Sequence, residues 1–354
     1  MTRSAMRAVA VAACAMVLAG CETLGYYLQA AGGQFEIARR AQKLEDVMGD
    51  PATSADLRTK LALAREIREF ASRELGLPDN ESYRRYADLG RPFVVWNVVA
   101  AEEFSTRAVE SCFPVAGCVT YRGYFGEADA REHAEALRGK GYDVQVSGIP
   151  AYSTLGWFDD PLLSTFIRYP EAELARLIFH ELAHQGVYLK GDTLFNESFA
   201  VAVERAGVRR WLEANRRAGD HAAFLAGRAR QREFVALIGA TKARLDEVYA
   251  RKIDPPAMRI AKGEAFAQFL RDYAALKATW GGFAGYDRIV GTAPGNALMA
   301  SITTYSKYVP GFERMLEAEG GDLKKFYAAV KALAARPEQE RCGALAATLS
   351  SAGC

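Results

Sequence analysis

Residues 173–204 of the 354-residue chain read ELARLIFHELAHQGVYLKGDTLFNESFAVAVE, a stretch that contains His180-Glu181-x-x-His184. Neither Pro nor Gly interrupts 171–185. Pro170 suits a first helical position, and Glu171 and Glu173 suit the positive end of a helix dipole. A helix is therefore expected through this segment. On it, residues i and i+4 lie about 40° apart, so His180 and His184 project from one face and can share a metal ion. Glu181 sits about 100° round from His180, close enough to hold a water on that metal without ligating it, which is the general-base arrangement. Only four histidines exist in the chain, and two fall at this spacing around a glutamate. That makes a pair of hydrogen-bonded core histidines the weaker reading.

A catalytic zinc usually takes three protein ligands and keeps one position open. Candidates for the third are Asp192, Glu197, Glu204 and His221. A second helix is expected to begin after the Gly191-Asp192 turn and to carry both Glu197 and Glu204. Being seven residues apart, these share a face about two turns from each other. The nearer can ligate while the farther braces a ligand histidine. The competing fate for either is an ion pair with Arg205 or Arg209 on a solvated face. A structural zinc site would instead be closed by four protein ligands, often Cys.

The block Asn196-Glu197-Ser198-Phe199-Ala200 followed by Glu204 resembles the N-E-G-F-A-x-x-x-E block of the gluzincin aminopeptidases. Ser198 stands for Gly, and the twelve residues between His184 and Glu197 are fewer than is typical of those enzymes. A closer resemblance is to the bacterial "predicted aminopeptidase" lipoproteins. It is carried by Tyr26-Tyr27-Leu28-Gln29-Ala30, by Gly117-Cys118-Val119 with Tyr121-Arg122-Gly123-Tyr124-Phe125, and by Tyr152-Ser153-Thr154-Leu155-Gly156-Trp157-Phe158. The short-spaced His-Glu block and Tyr305 with Val309-Pro310 complete it. This resemblance implies one Zn2+ per chain on His180, His184 and Glu197, with Glu181 as base and Glu204 behind a ligand. It further implies a strand near 152–158 that binds substrate backbone, and substrate contacts from Asn196, Gly156 and Asp160. For Asp159 and Asp160, pairing with a substrate amine competes with a helix-cap or turn role. An oxyanion donor is expected beyond the metal, with Tyr305 favoured over Tyr249 and Tyr188.

The N-terminus reads as an export signal. Arg3 and Arg7 precede an apolar run over 8–18 that is too short to span a membrane, and Leu18-Ala19-Gly20-Cys21 has the order of a lipobox. Residues 1–20 are expected to be removed, 21–33 to form a lipid-anchored segment on Cys21, and 34–354 to form a single unit. Glu22 resembles lipoproteins sorted to the outer membrane, so the expected location is the cell envelope, facing the periplasm. Loss of Arg3 and Arg7 takes 45 basic residues to 43 against 43 acidic ones. No basic excess remains to suggest nucleic acid as a partner. The expected partners are peptide substrates and, through the lipid, a membrane. In an oxidising compartment, Cys112, Cys118, Cys342 and Cys354 allow three pairings. The local one, 112 with 118 and 342 with 354, closes two short Gly-containing loops.

Helical spacing marks 34–48 and 55–75, and β-rich runs at 92–100 and 142–147 flank a helical 128–140. Beyond Pro170 the pattern is almost all helix, over 224–251, 258–280, 312–318 and 323–335, and the basic helix 228–252 reads as a solvated face. The expected fold is α+β and mostly α-helical, a zincin-like metallopeptidase core with a small mixed or antiparallel sheet and a helical C-terminal half. The expected activity is that of a zinc-dependent aminopeptidase. A zinc endopeptidase of envelope proteins and a non-catalytic envelope protein with a structural zinc are the alternatives.

Overall fold

Alternating apolar residues over 95–101 place Trp96, Val98 and Ala100 on one side of a strand and Val99 and Ala101 on the other, and all five are buried. In the computed structural model, which describes residues 25–113, 117–151, 153–154, 156–291, 293–302 and 308–346, this strand (β3, Val95–Ala101) is central. It pairs antiparallel with β6 (Arg122–Tyr124) and, over its full length, with β7 (Asp143–Ile149). One face is buried by α4 (Glu127–Arg138), whose Ala130 and Ala134 meet Trp96, Val98 and Tyr124. On the other face, Val99 and Ala101 meet Ala297 of α10 (Asn296–Ser301). The expected β-α-β grouping in the middle of the chain is therefore present.

Two smaller pairings were not legible. The expected helix 34–48 is two pieces, a helix over 25–40 (α1) and α2 (Leu44–Gly49), separated at Ala41. Between them β1 (Gln42–Lys43) pairs with β2 (Arg85–Ala87), which in turn pairs in parallel with β8 (Leu162–Leu163). Pairing with a strand about 40 residues away is a long-range event that helical spacing cannot report. The second is a hairpin of β4 (Ser111–Phe113) and β5 (Gly117–Val119), closed by a Cys112–Cys118 disulfide as the local pairing expected. Cys342 is also disulfide-bonded, and Cys354 lies outside the described residues.

Two long helices dominate the main core. α5 (Glu171–Gly186) buries Leu174, Ala175, Ile178, Phe179 and Leu182, and α6 (Thr193–Ala214) buries Phe195, Phe199, Val203 and Ala206. Pro170 is the residue before α5, with φ −52 and ψ 149, extended rather than helical. The two helices touch closely because Gly207 has no side chain. A Cβ there would lie 2.7 Å from the Phe179 ring and 2.8 Å from Leu75. Beneath them runs α3 (Ala55–Arg73), capped by Ser54 accepting from Leu57 N at 3.2 Å. Its buried Arg68 donates to the carbonyls of Pro78, Asn80 and Ser82, which pins the loop before β2.

A second core joins α7 (Ala218–Tyr249) and α8 (Pro255–Thr279). Phe234, Ile238 and Leu245 of α7 pack on Phe266, Phe269 and Tyr273 of α8, with Leu298 and Met299 of α10. The basic helix is thus solvated along one side only. The C-terminal α11 (Val309–Ala318) and α12 (Leu323–Ala334) close over α6, with Phe312 and Phe326 against Phe195 and Phe199. Among the described residues, no helix is long and apolar enough to cross a membrane.

Candidate metal centre

His180 and His184 stand one turn apart near the end of α5. Their Nε2 atoms face each other at 3.1 Å. Glu197, in the first turns of α6, brings Oε2 to 3.4 Å from His180 Nε2 and Oε1 to 3.6 Å from His184 Nε2. A tetrahedron with bonds of the zinc–imidazole and zinc–carboxylate length has edges of about 3.3–3.4 Å. The three donor separations bracket that value, so the residues present fit a zinc ion. A Glu110, Cys112 and Cys118 cluster also exists, but the disulfide removes both thiolates.

The short interval between His184 and Glu197 is explained by a tight connection. Asn196, buried, accepts from Leu189 N at 2.7 Å and donates to Leu189 O at 2.8 Å, folding the link back on the start of α6. Asp192 caps the helix by accepting from Phe195 N at 3.0 Å, and its other oxygen pairs with Arg341 at 2.9 Å. Asn196, of which a substrate contact was expected, spends its amide on this backbone clasp, and Asp192, one of the alternatives to Glu197 as third ligand, is a helix cap.

Behind the cluster, Glu204 Oε2 lies 2.9 Å from His180 Nδ1. Because an ionised carboxylate only accepts, Nδ1 carries the proton and Nε2 is the atom turned toward His184 and Glu197. Arg176 reaches the same Glu204 oxygen at 3.2 Å and donates to Glu173 at 2.8 Å, and Arg228 of α7 donates to Glu173 at 2.8 Å. Sequence reasoning set Glu204 behind a ligand histidine, with an ion pair to Arg205 or Arg209 as the competing fate, and missed Arg176 and Glu173. Helical spacing could have found both, since they lie four and seven residues before His180. Arg205 instead pairs with Glu313 at 2.9 Å. Arg228 was beyond reach, because its α7 packing is tertiary.

Electrostatics separate the two histidines. Burial opposes a charge on His180, but the hydrogen bonds with Glu197 and Glu204 and the charge of Glu204 outweigh it and hold the imidazole at about 10. Burial and the His180 charge push His184 down to about 4. For Glu197 and Glu204 burial is also opposed, by His180 and by Arg176 with His180 respectively, and both carboxyls are held below their ordinary range. Glu181 differs. Burial, with Glu197 and Asp160 nearby, raises it against the pull of His180, and it makes no hydrogen bond or ion pair among the described residues. Beside it lies Tyr83, also missed, which is buried and held at φ 64. Burial and then Glu181 raise its phenol well above the ordinary value. A non-glycine residue at positive φ is uncommon and carries local strain of a kind that clusters at functional sites.

The remaining candidates lie elsewhere. Asp160 accepts from Thr154 N at 2.9 Å, Thr154 Oγ1 at 2.9 Å and Ser153 Oγ at 3.2 Å, so it fills the turn role weighed for it. Asp159 is exposed and lines a cavity of about 480 Å³ with Arg84 and Arg85. The segment expected to be a backbone-binding strand is a loop over the described 153–154 and 156–160, in which Gly156 takes φ 82 above the Gln185 side chain. His221 lines a separate cavity with Arg209 and Phe224. Tyr249 donates to Asn296 at 2.7 Å, Tyr188 is exposed, and Tyr305 lies outside the described residues.

The Glu204 contact leads to a prediction. Glu204→Gln keeps the shape but removes the charge that orients Nδ1–H, and metal affinity should fall about 10–100-fold. Titration against a competing chelator measures it, and unchanged affinity would reduce Glu204 to a packing role.

These features define a class: a mostly helical α+β protein in which an HExxH helix and the next helix converge two imidazoles and a carboxylate. The chain belongs to the "Putative aminopeptidase" family, whose model matches residues 25–345. The family's name denotes a hydrolase of peptide bonds, in keeping with the resemblance carried by the Tyr26 and Glu197 blocks. No curated protein and no solved structure matches the chain.

Proposed function

We propose that this protein is a zinc-dependent aminopeptidase with a zincin-like core, holding one Zn2+ on His180, His184 and Glu197. The observation that carries the reading is the set of three donor separations, 3.1, 3.4 and 3.6 Å, which suits one tetrahedral ion. Bound there, zinc supplies Lewis acidity to a peptide carbonyl and to a water. The rest is done by the protein. Glu181 takes the proton of the attacking water on its carboxylate and returns it to the leaving amine nitrogen. Burial raises its affinity for that proton, which brings the base nearer to neutral operating pH. Glu204 keeps the proton of His180 on Nδ1. Tyr305 is the proposed oxyanion donor on the family resemblance. Removal of terminal residues rests on family membership.

Metal titration tests the zinc centre, and its pH dependence has a definite sign. In the metal-free protein His180, at about 10, is protonated at neutral pH, whereas His184, at about 4, is already neutral. Ligation needs the neutral ring. Binding should therefore release about one proton, and affinity should rise about tenfold per pH unit from 7 to 9. Stoichiometry other than one zinc per chain, or no binding, would remove the centre.

The proposed location is the cell envelope, with lipid on Cys21 and the enzyme facing the periplasm, on the export signal and lipobox order at the N-terminus. The wild type should partition with membranes, and Cys21→Ser should leave it uncleaved or released. A cytoplasmic wild type would overturn this.

A further inference from the structure

In the loop whose Gly156 lies against Gln185, the residue after His184, the chain exposes two aromatic rings, Trp157 at 85% and Phe158 at 59%. Exposed aromatics often sit on loosely held loops. This loop is held from several sides. Trp157 N donates to Thr154 O at 3.1 Å, and Phe158 N donates to Thr154 Oγ1 at 3.1 Å. The buried carboxylate of Asp160 collects three more donors from Ser153 and Thr154. The loop is also tied to the active helix. Asp160 O accepts from Tyr83 N at 2.7 Å. Gly156 packs against the side chain of Gln185, which itself accepts from Asn80 Nδ2 at 2.7 Å and donates to Ser82 Oγ at 3.2 Å. Gln185 follows His184 directly and lies one turn beyond Glu181 on the same face of α5.

A buried acid thus fixes a turn whose outward product is a pair of apolar rings, held at a set position relative to Glu181 and His184. Packing does not require them, since the rings are in water. We propose that Trp157, with Phe158, forms the subsite for a large apolar side chain of the peptide flanking the scissile bond, and so sets a preference for aromatic and long aliphatic residues. The proposal rests on the peptidase reading for the identity of its ligand. The rigid coupling to α5 favours a substrate over a lipid surface, which would need no fixed relation to the active helix.

The test uses equilibrium binding as well as turnover. Glu181→Gln protein is titrated with labelled peptides differing only in one terminal residue, Phe, Leu, Ala or Gly, and the wild type is assayed on the same series. The Phe and Leu peptides should bind about tenfold to a hundredfold tighter than the Gly peptide. Adding Trp157→Ala should collapse that ratio, Trp157→Phe should restore most of it, and Ile260→Ala, another exposed apolar residue on α8, should leave it alone. Equal binding across the series, or a ratio unmoved by Trp157→Ala, overturns the subsite. Loss of binding to anionic lipid vesicles in Trp157→Ala, with peptide ratios unchanged, would assign the rings to a membrane and also overturn it. A wild type that turns over no peptide while the binding ratio persists would defeat the peptidase reading and leave the subsite standing.

Discussion

Glu181→Gln should retain one zinc per chain and lose about a hundredfold to ten-thousandfold of kcat, the range expected for removal of a positioned general base. The glutamine keeps the size and the buried environment of the side chain but cannot accept the proton of the attacking water. Glu181 is not among the converging donors at 3.1–3.6 Å, so metal content should not change. His180→Ala provides the contrast, since it deletes a donor at the centre of the cluster and should abolish stoichiometric zinc along with activity. Mass spectrometry of the intact metal-bound protein and steady-state kinetics separate the two. A Glu181→Gln enzyme working near the wild-type rate would move the base elsewhere.

N-acetylation of a good peptide substrate should reduce cleavage by about thirtyfold to several thousandfold, the loss expected when a desolvated charged contact is removed. The prediction separates an aminopeptidase from an endopeptidase. Equal cleavage of free and acetylated peptides, with internal fragments, would establish endopeptidase action on the same zinc centre.

Much of the site was open to reading because its first elements are local. The i, i+4 spacing of His180 and His184 on a helix uninterrupted by Pro or Gly fixes their common face without reference to any other part of the chain. The seven-residue spacing of Glu197 and Glu204 likewise puts them on one face of the following helix, and a separation of six between Cys112 and Cys118 suffices for a closed loop. The same reasoning left alternatives open where one side chain had several possible partners. Asp192 stood beside Glu197 as a possible ligand, and Asp160 was weighed between an amine contact and a turn; each closes a local turn, the commoner use of such residues.

Periodicity gives the angle of a residue around its own helix but not where a second helix lies. That Glu197, rather than Asp192 or His221, faces the imidazoles depends on how α5 crosses α6. That crossing is set by the Phe179–Gly207 contact and by the Asn196 clasp on Leu189. The relay from Glu204 through Arg176 and Glu173 to Arg228 depends in addition on α7. The sequence by itself determined the helices, the donor types and their faces, because those follow from bonds within a few residues. The tertiary structure alone decided which donors meet and which carboxylates are already engaged, because packing between distant segments selects one partner among many of equal local merit.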